Sequence, residues 1–203
     1  MPLRWDVGSE PPIWRMLQVP GDANLGWFHA VLQVAMGWTN SHLHQFLTRD
    51  ARYSDPRCVE DTGFDDEPNR NEAEATLAQI APDEGARFRY EYDFGDSWEH
   101  EITVARILPP DASGTTAAIC LDAARACPPE DCGGIWGYAE LLNSLVNPKH
   151  PEHKSIKEWL GRPFDAEAFD VAGTNRWLRK LKWPRVTEAQ LRKVLMGRDG
   201  YRE

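Results

Sequence analysis

Between Phe88 and Val104 the side chains alternate with a period of two on both sides of a glycine-bearing turn. Phe88, Tyr90, Tyr92 and Phe94 alternate with Arg89, Glu91 and Asp93; beyond Gly95-Asp96-Ser97, Trp98, His100, Ile102 and Val104 alternate with Glu99, Glu101 and Thr103. Successive strand residues point to opposite faces, so this pattern predicts a long β-hairpin with one aromatic face and one charged face. An aromatic face of that size has to be covered, and the helical periodicities elsewhere in the chain supply the cover.

Residues 3 to 19 read as a second hairpin around Gly8-Ser9-Glu10-Pro11-Pro12. Gly21-Asp22-Ala23-Asn24 then offers cap residues to a helix over 25–36, with Leu25, Phe28, Leu32 and Met36 on one face and Gly37 as its stop. Leu43 and Leu47 alternate with His42, His44 and Phe46, which predicts a strand. Asp55 to Asn71 is polar and aperiodic and reads as a loop, leading into a short helix around 72–80; Pro109 to Thr116 reads as another loop. Further helices are expected from Ile135 to Leu145, ended by Asn147-Pro148, and over 152–160, closed by Gly161. A last one opens with a Thr187/Gln190 capping box and carries Leu191, Val194 and Leu195. Hairpins and helices in this order indicate an α+β fold, an antiparallel sheet built from hairpins with amphipathic helices packed on it. We expect one domain over 1–178 and a basic helical C-terminal extension over 179–203.

Three segments carry a resemblance to a known family: Trp38 to Phe46, Tyr90 to His100, and Cys127-Pro128-Pro129-Glu130-Asp131-Cys132-Gly133-Gly134. Together they resemble the family named for the third open reading frame of a root-inducing plasmid, some of whose members are described as TnpR-like passenger proteins of insertion sequences. The resemblance covers roughly residues 3 to 178. It implies an intracellular bacterial or archaeal protein of α+β fold, often encoded on plasmids or mobile elements, with no assigned cofactor. It does not bring recombinase chemistry with it. Ser9 lacks the arginine set of a serine recombinase, and no His-x-x-Arg precedes Tyr201. Phosphate-loop, dinucleotide, nucleophile-elbow and H-E-x-x-H motifs are likewise missing from the sequence.

The net charge of −9 argues against general nucleic-acid affinity, which depends on cations meeting phosphates. Residues 174–203 nevertheless carry nine Lys/Arg against three acids, +6, which leaves −15 for the rest. DNA contact through that tail ranks below its folding back on the acidic body or solvating a helix face. No apolar run is long enough to span a bilayer and no signal peptide is evident, so a cytoplasmic protein without membrane contact is expected.

His42 and His44, placed on one strand face, could offer two imidazoles to a divalent metal, with Asp93, Asp96 and His100 from the hairpin tip adding ligands. The structural alternative is that the aspartates satisfy turn amides and His100 belongs to the aromatic face. Cys120, Cys127 and Cys132, with His150 or His153, form a second, less regular candidate for zinc, against free structural thiols. Cys132 precedes a helix N-terminus that would favour a thiolate, but Glu130 and Asp131 oppose it. The leading expectation is a non-enzymatic binding or interaction module presenting Tyr92, Trp98, Glu130, Asp131 and Cys132 to a protein or small-molecule partner. The alternative is a metal-dependent hydrolase or nuclease using the His/Asp set, with Glu130 or Asp131 as catalytic carboxylate.

Overall fold

The computed structural model describes residues 2–6, 11–58, 68–109 and 117–197. Eight strands run β1 Pro2–Asp6, β2 Trp14–Gln18, β3 His44–Leu47, β4 Arg52–Ser54, β5 Asn69–Asn71, β6 Arg87–Tyr92, β7 Trp98–Val104 and β8 Ile119–Ala124. The helices are α1 Leu25–Met36, α2 Leu77–Ile80, α3 Gly134–Val146, α4 His153–Leu160, α5 Val171–Leu178 and α6 Glu188–Met196. The strands form one sheet in the order β5-β4-β3-β6-β7-β1-β2-β8, antiparallel except for the parallel pair β4–β5. The fold is α+β, as the alternation and helical periodicities predict.

The aromatic hairpin is the middle of this sheet. Phe88, Tyr90, Tyr92, Trp98, His100, Ile102 and Val104 are all buried on one face, while Arg87, Arg89, Glu99 and Glu101 on the other face pair across strands at 3.1 and 3.5 Å. Helix α1 lies across the buried face. Phe28 stacks on Phe46 and meets Phe88, and Gln33 donates to the Tyr90 hydroxyl at 3.2 Å. Its ends are set locally. The Asn24 side chain accepts from Trp27 N at 2.8 Å, and Gly37 at φ 105° turns the chain out of the helix.

Four elements, β4, β5, β8 and α5, carried no usable local signal, and β5 falls inside the segment expected to be a loop. Strand β8 is half-exposed, and its backbone at Cys120 is held by the Asn175 side chain of α5 at 2.7 and 2.8 Å. The predicted helix over 72–80 is divided into a 3₁₀ turn, Glu72–Glu74, and α2. Strand β3 begins only at His44, so His42 lies before the strand and the two histidines do not share a strand face. Phe94 leaves the aromatic row and is exposed.

The capping box of α6 forms as predicted, and Leu191, Val194 and Leu195 enter the core cluster. The chain leading to it is also tied down. Trp27 Nε1 donates to Lys182 O at 3.1 Å, and Trp183 packs edge-on against Trp27. Outside the described residues lie Gly8-Ser9-Glu10 of the first turn, 59–67 of the polar loop, 110–116 of the second loop, and Arg198 and Arg202 of the basic tail.

Candidate functional site

The register of β3 on β6 pairs His44 with Tyr92. Because the strands are antiparallel, the residues just before β3 and just after β6 leave the sheet at the same corner. Asp93 N donates to Leu43 O at 2.9 Å, which fixes His42 and Asp93 on adjacent segments just outside the two strands. Asp93 takes a left-handed conformation, φ 58°, and its Oδ1 accepts from Gly95 N and Asp96 N at 3.0 and 3.4 Å. This leaves Oδ2 facing His42.

The third segment reaches the same corner through two tethers. Trp38 Nε1 donates to Pro128 O at 3.2 Å, and Asp96 Oδ2 accepts from Gly133 N at 3.0 Å, at the start of α3. The hairpin tip and the helix start are so close that a Cβ on Gly134, which also has φ +66°, would collide with the Asp96 carbonyl oxygen. Gly134→Ala is therefore expected to cost roughly 2–3 kcal/mol, read as a drop in the urea midpoint. An unchanged midpoint would show that the helix start is not clamped.

Glu130 is the most firmly held side chain of the corner. Its Oε1 accepts from Thr39 N at 2.6 Å and Thr39 Oγ1 at 2.8 Å, and the Tyr92 hydroxyl donates to the carboxylate at 3.1 and 3.2 Å. Burial raises its pKa, with the Thr39 and Tyr92 hydrogen bonds and His42 pulling the other way. Burial likewise lifts the Tyr92 phenol, which stays protonated and acts as a donor.

His42 Nε2 stands 3.3 Å from Asp131 Oδ1, 3.6 Å from Asp93 Oδ2 and 3.7 Å from Glu130 Oε2. That nitrogen is shielded from solvent and has no hydrogen-bond partner. His42, Asp93 and Asp131 offer ligand atoms all within 4.8 Å of one another. Exposed apolar side chains adjoin these residues in sequence: Leu43 follows His42, Phe94 follows Asp93, and Ile135 and Trp136 open α3 just after Asp131. Trp136 is 87 % exposed, rare for an indole. His42 also lines a groove of about 970 Å³ that continues past His44, Asp55, Arg57, Glu72 and Arg185.

Of the five residues proposed as a metal set, only His42 and Asp93 meet. His44 points into the groove, bonds Glu72 at 2.7 Å and stacks on His29 at 3.4 Å, nearly parallel. His100 is fully buried under Trp38, bonds Tyr90 O at 3.2 Å, and is pushed down to about 3 by desolvation. Asp96 is spent on the α3 amide. The proposed cysteine site does not assemble: among the described residues, no group of three potential ligands includes a cysteine. Cys120 is buried on β8, His153 bonds Ser144 O, and His150 sits with Glu140 at 2.9 Å. The Cys132 thiol is pushed up to about 12, chiefly by burial and then by Asp96 and Asp131, which excludes a resting thiolate. Tyr92 and Trp98, expected on a binding surface, are buried beneath it. Thr39 was not anticipated. Its partner lies 91 residues away, and no local pattern announces such a bond.

A family model described as plasmid pRiA4b ORF-3-like protein matches residues 7–173. The chain is 41 % identical over 180 residues to uncharacterized protein y4hQ of Sinorhizobium fredii (strain NBRC 101917 / NGR234), covering 87 % of this chain and 89 % of that one. Its fold is similar, with a TM-score of 0.73 and 32 % identity, to the crystal structure of a protein of unknown function, MM3350, from Methanosarcina mazei Go1. That match covers 84 % of this chain and 94 % of the other. No helix among the described residues is long and apolar enough to cross a membrane.

Proposed function

The chain belongs to the plasmid pRiA4b ORF-3-like family, and we propose that it is a non-enzymatic binding module whose ligand centre is the notch formed by His42, Asp93, Glu130 and Asp131. One observation carries this reading: three carboxylates face a single imidazole nitrogen at 3.3–3.7 Å, with exposed Leu43, Phe94 and Trp136 close by in sequence. Negative charge gathered in a partly buried notch attracts a cation, and apolar side chains beside it supply contact area that solvent-exposed carboxylates cannot. Trp136, aromatic and exposed, also suits a cation over its ring. The partner class that fits is a polypeptide presenting basic side chains among apolar ones.

The test uses a nonapeptide alternating arginine and leucine, and its glutamate–leucine counterpart, titrated calorimetrically into the full chain in the presence of chelator. Saturable binding of the arginine peptide, weakened at least tenfold by Asp131→Asn and by Trp136→Ala and reduced by added salt, is expected. Equal affinity for the two peptides, or indifference to both substitutions, would remove this reading.

A further inference from the structure

We propose that the notch, when no basic side chain fills it, binds a divalent metal ion of the zinc class through His42 Nε2, Asp93 Oδ2 and Asp131 Oδ1. The inference rests on the reading of the notch as a cation site and adds a second class of cation that it takes. It replaces the His42/His44/Asp93/Asp96/His100 set with one that the fold brings together.

The argument begins with distances. A histidine N–H donating to a carboxylate closes to a hydrogen bond of about 2.7–2.9 Å, and among the described residues two such pairs do so, His44–Glu72 at 2.7 Å and His150–Glu140 at 2.9 Å. His42 does not. Its Nε2 is enclosed by three carboxylates yet stands 3.3, 3.6 and 3.7 Å from their oxygens and hydrogen-bonds to none of them. Those separations suit ligands that share an ion. Ligand atoms placed 2.0–2.2 Å from a tetrahedral zinc lie roughly 3.3–3.6 Å apart.

Burial gives a second, independent argument. The Asp93 side chain is only 9 % exposed, and its two turn amides both go to Oδ1, so Oδ2 is directed at His42 with no donor of its own. A positive charge placed between that oxygen and its neighbours Asp131 and Glu130 is attracted by all three carboxylates. Glu130, held by Thr39 and Tyr92, faces the same nitrogen and stands beside the three ligands. One imidazole with carboxylate oxygens is a donor set for zinc or manganese rather than for a soft thiophilic ion.

The experiment is calorimetric titration of Zn²⁺, and separately Mn²⁺, into chelator-treated full-length protein under reducing conditions. Native protein is expected to take one ion at this site. His42→Ala and Asp93→Asn should each weaken that binding at least tenfold. Asn keeps the Oδ1 turn acceptor and tolerates the positive φ of position 93, so the fold should survive, as thermal melting would verify. His44→Gln should leave affinity within twofold of native. His150→Gln controls for the second group of ligand atoms, Glu140, His150 and Glu152, and should also retain the ion. Native protein that takes up neither metal, or uptake unchanged in His42→Ala and Asp93→Asn, would overturn the assignment. The arginine-peptide titration, run in chelator, fails or succeeds separately.

Discussion

Lowering the pH from 7.5 to 4.5 is expected to strip stability from the fold at about 1.4 kcal/mol per pH unit below 6.5 for each of two histidines, His29 and His100. Both are buried and neutral. His29 is held well below its ordinary value by desolvation first and by the charge of the stacked His44 second, with its Asn40 hydrogen bond pulling weakly upward. His100 falls to about 3, again through desolvation, with Arg15 adding to it against the hydrogen bond to Tyr90 O. The sign follows from proton binding. The unfolded chain takes up both protons near pH 6.5, whereas the folded chain refuses them until far lower. Their contribution is therefore complete above 6.5 and is lost as pH falls from there, in the case of His100 toward about 3. Urea unfolding at pH 7.5, 5.5 and 4.5 measures it, and His29→Gln should flatten the profile by one histidine's share. A native protein equally stable at pH 7.5 and 4.5 would contradict the buried neutral state of both rings.

Arg15→Met is expected to cost about 3–5 kcal/mol, roughly a 10 °C fall in Tm for a chain of this length. Arg15 is fully buried on β2, and burial lowers its pKa to about 10, which leaves it charged. Its Nε donates to Ala35 O at 3.0 Å in the last turn of α1, a turn that has no basic residue of its own. The guanidinium thus supplies the positive charge that the helix C-terminus favours. Nη1 donates to Trp14 O and Ala124 O, both at 2.9 Å, and the group lies 3.9 Å over the Phe169 ring. Methionine fills much of the same volume but leaves three carbonyls without this donor, which is the costly kind of substitution. Urea midpoints would check it, and a loss below about 1 kcal/mol would show that water or neighbouring groups satisfy those carbonyls.

The sequence alone determined what depends on neighbours along the chain. Period-two alternation specified β6 and β7 and which of their faces is buried, because strand geometry sends alternate side chains to opposite sides. Asn24 and Gly37 bounded α1, and Thr187 with Gln190 started α6, because caps act within four residues. The three motifs identified the family and contained every residue of the notch. Only the tertiary structure decided which of those residues meet. The β3–β6 register put His42 beside Asp93 and turned His44 toward Glu72, while the Trp38–Pro128 and Asp96–Gly133 bonds brought in Glu130 and Asp131 from nearly forty residues further on. Such choices rest on contacts between segments distant in sequence, where alternation and capping carry no information, and a one-residue shift in register would turn His44 to the other face of the sheet.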